Sequence, residues 1–194
     1  LAIRASVSKP ACRLAVLFLA VAQAEAQEQR SVPSTVRPER RIVISLPDRQ
    51  LALLEDGRVR KLYPIAVGAP RTPSPRGEFR VTSRLVHPTW YASGKVVPPG
   101  KANPLGTRWL GLGNRGYGIH GTNDPKSIGK SVSHGCIRMR NADVEELFEL
   151  VRVGDVVELH GERNEIVAAI LGATPAPAAP RPAAVPVVAA VGKL

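Results

Sequence analysis

Glycine and proline interrupt this chain so often that long helices are excluded as its main building material. There are 17 glycines and 18 prolines among 194 residues. Glycine weakens a helix interior by its backbone freedom, and proline by its missing N–H. Short strands joined by turns are what remains. Arg41 to Leu46 reads as a strand, Pro47-Asp48-Arg49 as a turn, and Leu51 to Leu54 as a second strand. Asp56-Gly57 suits a tight hairpin turn into a third strand, Val59 to Val67. The three predict an antiparallel meander.

Gly68 to Gly77 is rich in Pro and Arg and predicts a loop, and Glu78 to Val86 a further strand. His87 to Gly106 has little periodicity but contains Trp90 and Tyr91. Long irregular segments of this kind often serve as lids. Trp109 to Leu112 and Gly116 to His120 predict short strands. Asn141 is a good N-cap, with Asp143 and Glu145 in the first turn behind it. Val144, Leu147, Phe148 and Val151 fall on one helical face, which the core accounts for fully. Val156 to Leu159 predicts the last strand, and Glu162 to Leu171 a short helical turn. There is no internal repeat.

The ends differ from the middle. Arg4, Lys9 and Arg13 precede the apolar run Leu14 to Val21, and small residues at Ala22, Ala24 and Ala26 follow it. That is the layout of a secretory signal over residues 1–26. Residues 27–39 read as a polar linker, 40–160 as one domain, and 161–194 as an Ala/Pro-rich tail expected to stay disordered or extended. The net charge of +11 favours polyanions, among them anionic cell wall. No aromatic residues are interleaved with the charges as a nucleic-acid reader requires, so nucleic acid is not an expected partner. Nor is a stable membrane span expected once the signal is removed.

Export would remove Cys12 and leave Cys136 alone. A lone cysteine in an oxidising compartment forms no internal disulfide and invites oxidation, so its retention points to use of the thiol. It lies in the stretch YGIHGTNDPKSIGKSVSHGCIRMRN, residues 117–141, which also holds His120 and His134. An imidazole beside a thiol makes a nucleophile with a base. His134 shares a face with Cys136 in an extended backbone, while His120 reaches it only through the fold; spacing alone leaves both open. Backbone N–H groups at Gly135-Cys136 can face an oxyanion, and Arg138 can hold a carboxylate or carbonyl, or simply brace the motif. His120, His134 and Cys136 also make a three-ligand zinc set, but neither H-E-x-x-H nor paired Cys-x-x-Cys accompanies them.

IHGTN followed by SHGCIRM resembles the signature of the L,D-transpeptidase (YkuD-type) catalytic domain of bacterial cell-wall enzymes. Asn103-Pro104-Leu105-Gly106, Gly116-Tyr117-Gly118, Ser127-Ile128-Gly129-Lys130 and the helix from Asn141 to Leu150 extend the likeness over about residues 40 to 160. Lys126 departs from it, standing where relatives often carry an aromatic. The resemblance implies a mainly β fold, a sandwich-like pair of mixed sheets with one short packed helix. It implies Cys136 as nucleophile, His120 as base and the Gly121 carbonyl as the group that orients the imidazole. Ser133, His134, Gly135 and Arg138 would shape the oxyanion and substrate region. No metal or organic cofactor is implied. The implied substrates are peptidoglycan stem peptides, joined by 3→3 cross-links. Water, or a lysine of an outer-membrane lipoprotein, would be alternative acyl acceptors.

Overall fold

A computed structural model describes residues 37–92, 94–113 and 116–172. The expected signal segment, nearly all of the linker and the tail from residue 173 lie outside the described residues. Twelve strands follow in chain order: β1 (Arg40–Ser45), β2 (Gln50–Glu55), β3 (Arg58–Pro64), β4 (Val67–Gly68), β5 (Gly77–Val86), β6 (Trp90–Ala92), β7 (Lys95–Val97), β8 (Arg108–Leu112), β9 (Gly118–His120), β10 (Ser131–Ser133), β11 (Ile137–Arg138) and β12 (Val156–His160). Helix α1 (Asn141–Leu150) precedes β12, and α2 (Glu165–Gly172) follows it.

Eight strands form one curled mixed sheet in the order β11-β9-β8-β5-β12-β1-β2-β3. The expected meander β1-β2-β3 is antiparallel throughout. The fold is mainly β, as expected, but the two sheets of the implied sandwich are two halves of a single sheet. β5 joins them: its first residues pair with β12 and its last with β8, with an irregularity between Val81 and Ser83. Both halves and α1 enclose one core, which contains Ile42, Leu53, Leu110, Ile119, Ile137 and Leu147.

The apolar run of β1 and β2 is buried on both faces. Ile42, Ile44, Leu51 and Leu53 face the main core, while Val43, Ala52 and Leu54 face a second cluster closed by Val167 and Leu171 of α2. The packed body therefore continues past residue 160, where the reading from composition had placed the start of the tail. Two apolar residues four apart on a short helix are a weak signal until a strand face is known to need covering.

The third strand also departs from expectation. It ends at Pro64 rather than Val67, because proline cannot donate to a ladder. The chain then leaves β2: Ala66 bridges to Arg138 of β11 at the far edge of the sheet, and Val67 pairs with Ser131 of β10. This crossing carries the polypeptide beneath the histidine and cysteine segment.

Candidate active site

β9 and β11 run parallel at one end of the sheet, with Ile119 opposite Ile137 and His120 opposite Arg138. Side chains alternate along strands. The two isoleucines enter the core, so His120, Arg138 and the preceding Cys136 project to the other face. There they line a cleft of about 410 Å³ together with Ser133 and His134. Sixteen residues of separation between His120 and Cys136 are closed by two parallel strands lying side by side.

His120 is 4% exposed. Trp109, its partner in the β8–β9 register, stacks against it with ring centroids 5.7 Å apart and planes inclined by 20°. Its Nδ1 lies 2.6 Å from the Gly121 carbonyl oxygen. A carbonyl only accepts, so the imidazole proton sits on Nδ1 and Nε2 keeps its lone pair. The imidazole is pushed down to about 4: burial is the largest influence, the Gly121 carbonyl works against it, and the charge of Arg138 adds to the lowering. His120 is therefore neutral across the physiological range.

Gly121 is held from behind. Asn141 is the first residue of α1 rather than its N-cap, which is Arg140. The amide serves two loops instead of the helix end: its Oδ1 accepts from the Thr122 N–H at 3.2 Å and the Thr107 N–H at 3.3 Å. A Cβ on Gly121 would lie 2.2 Å from that oxygen, and one on Gly106 2.1 Å. Only glycine fits at either position.

Cys136 sits on a turn built by Ser133. The Ser133 hydroxyl donates to the Cys136 carbonyl at 2.6 Å and accepts the Gly135 N–H at 3.1 Å. Gly135 has φ +110°, and a Cβ there would meet the Tyr117 ring at 2.5 Å. Its N–H is thus occupied. Among the described residues, the Cys136 N–H has no partner and can serve as a donor to an oxyanion. The thiol donates to the Gly116 carbonyl at 3.3 Å. Burial raises its pKa; a backbone hydrogen bond from Gly118 and the charge of Arg138 act against that rise. Burial thus favours the neutral thiol and the neutral imidazole, and opposes the thiolate–imidazolium pair that proximity alone favours.

The two histidines differ in their surroundings. His134 is exposed at the rim of the cleft, whereas His120 is buried beside the Gly121 carbonyl. Among the described residues, no three His, Cys, Asp or Glu side chains converge as a metal would need, and the set His120, His134 and Cys136 does not do so.

Several contributors have no site role assigned from the sequence. Trp90, Lys95 and Val97 of the β6–β7 hairpin supply one wall of the cleft, and Ala102, Pro104, Leu105 and Asn123 complete the lining. The described part of the segment from His87 to Gly106 is thus built around a hairpin. Asn103 holds it, fully buried, its amide donating to the carbonyls of Pro88 at 2.8 Å, Val97 at 3.1 Å and Pro98 at 3.1 Å. Two signals were available: the chain has two tryptophans, and both belong to the site, while Pro104, Leu105 and Asn123 stand in stretches that carry the family likeness.

The model of the L,D-transpeptidase catalytic domain (YkuD) family matches residues 39–159. The chain belongs to that family. YkuD of Bacillus licheniformis is 43% identical over 140 residues, covering 71% of this chain and 77% of the relative. YbiS of Escherichia coli is 35% identical over 151 residues, covering 70% of this chain but only 48% of the relative. Among solved structures, an Enterococcus faecium L,D-transpeptidase is 25% identical with TM-score 0.55, over 64% of this chain and 50% of that one. The fold is also that of an L,D-transpeptidase from Mycobacterium smegmatis, TM-score 0.55 at 23% identity, over 64% of this chain and 59% of that one. This chain thus spans about half to three-quarters of the length of these proteins.

Proposed function

We propose that the protein is an exported L,D-transpeptidase in which Cys136 forms a thioester with a peptidoglycan stem peptide. The observation that carries this reading is the parallel β9–β11 register, which sets His120, Cys136 and Arg138 on one face of one cleft. A thiol, an imidazole with a free Nε2 and an open backbone donor are the components acyl transfer requires.

His120 Nε2 takes the thiol proton as Sγ attacks the carbonyl of the position-three residue of a tetrapeptide. The negative oxygen that forms is met by the Cys136 N–H and the nearby Arg138, with His134 at the rim. Collapse returns the proton to the departing D-alanine nitrogen and leaves the thioester. The amine of a second stem then loses a proton to His120 and displaces Sγ, giving a 3→3 cross-link. Ser133 and Gly135 hold the turn on which this depends. The basic surface supports contact with anionic wall polymer. Among the described residues no helix is long and apolar enough to cross a membrane.

The test is incubation of residues 27–194, alongside a Cys136→Ala variant, with a disaccharide-tetrapeptide, followed by mass spectrometry of the products. A dimer lacking one D-alanine, absent from the variant, is expected. Tripeptide monomer alone would assign hydrolysis, and unchanged substrate in both samples would overturn the proposal.

A further inference from the structure

We infer that Lys95 is a specificity-determining residue of the cleft, its ammonium receiving a second free carboxylate of the donor peptide; the inference rests on the donor reading above. In the β6–β7 hairpin Trp90 pairs with Val97, Tyr91 with Val96, and Ala92 with Lys95. Directly opposed residues of an antiparallel pair share a face, and the period is two. Trp90, Lys95 and Val97 therefore form the face that lines the cleft, while Tyr91 and Val96 point outward, 73% and 61% exposed.

The charge around this lysine is one-signed. None of the residues lining the cleft is Asp or Glu, and its other permanent cation is Arg138. Among the described residues neither Lys95 nor Arg138 is engaged in an ion pair. A surface lysine without a partner is ordinary; two cations from different elements facing one walled cleft with no counter-charge are a field that selects anions. Arg138 stands beside the nucleophile, on the sheet. Lys95 stands on the hairpin and reaches a different part of the bound peptide.

Its place is also fixed. The Asn103 amide pins Pro88 at one foot of the hairpin and Val97 and Pro98 at the other. Lys95 is two residues from a pinned carbonyl, so the ammonium is presented from a held backbone, which lowers the ordering cost of binding. As a compact charge with three donors, it suits a carboxylate and gains little from a neutral amide. Two donor groups carry that chemistry: the carboxylate on the side chain of a diamino dicarboxylic residue at position three, and the C-terminal carboxylate of the leaving residue.

Three synthetic tetrapeptide donors separate these sources: one with both carboxylates free, one amidated on the position-three side chain, and one amidated at the C-terminus. Release of the terminal residue is followed for wild type, Lys95→Gln and Lys95→Arg. We expect one of the two amides to raise KM about tenfold in wild type with kcat little changed. Lys95→Gln should treat that amide and the free acid alike, and Lys95→Arg should keep the preference; the amide that matters names the carboxylate. A wild type indifferent to both amides, or a Lys95→Gln that slows every donor equally, overturns the assignment. If wild type releases nothing from any donor, the donor reading itself fails. Calorimetric binding of the same peptides then decides the role of Lys95: affinity lost on amidation only when Lys95 is present upholds it, and equal affinity overturns it.

Discussion

At the scale of single residues, the site is governed by burial more than by charge. His120 is pushed down to about 4 and the Cys136 thiol is raised, both chiefly by loss of water. The imidazole holds no proton on Nε2 until the pH nears about 4, and the thiolate population grows only as the pH climbs above the ordinary thiol range. The signs therefore oppose a pre-formed ion pair. Alkylation of Cys136 by iodoacetamide in the absence of substrate should stay slow through about pH 8, where a free thiol begins to ionise, and rise only above it. A rate that is already flat between about pH 5 and 7, as in low-pKa thiolates, would show the ion pair and refute this picture. The residues themselves are legible in the sequence: a thiol left alone once the expected signal is removed, and two histidines in one Gly-rich segment. That His120 reaches the cleft of Cys136 was open on spacing and implied only by the family resemblance, because it depends on a parallel strand pair that no local spacing announces.

At the scale of elements, the turn at Ser133–Cys136 is the most constrained piece of backbone. Gly135→Ala would place a methyl against the Tyr117 ring, 2.5 Å away, at a φ of +110°. We expect a loss of roughly 1–3 kcal/mol of stability. Displacing the thiol by about 1 Å would cost on the order of 100-fold in turnover. Thermal melting and D-alanine release measure the two effects separately, and an active, equally stable variant would contradict the account. Strands β1, β2, β5 and β8 could be read from apolar content and bounding turn residues because each is five residues or longer. β4, β10 and β11, of two or three residues, could not. The hairpin wall was hidden for the same reason, and because its anchor is a single buried asparagine whose partners are all backbone carbonyls. Asn141 was assigned to capping on local grounds, yet the fold uses its amide to join two loops.

At the scale of the whole molecule, one curled sheet carries the site on one of its ends and a second small core on its outer face. Val167 of α2 is fully buried in that second cluster, with Val43, Ala52 and Leu54. Val167→Ala should cost roughly 2 kcal/mol without altering turnover in the folded protein, because none of these residues lines the cleft. Differential scanning fluorimetry and a rate measurement well below the melting point check both halves of that statement; an unchanged melting temperature would mean that α2 is not part of the cooperative fold. The central claim is the covalent intermediate on Cys136. Intact-mass spectrometry after brief mixing with a tetrapeptide donor tests it most directly. The account predicts an added mass equal to the donor minus alanine, mapped by digestion to the peptide containing Cys136 and lost on adding an amine acceptor. Release of D-alanine with no adduct trapped by acid quench at any time, or an adduct on another residue, would contradict it.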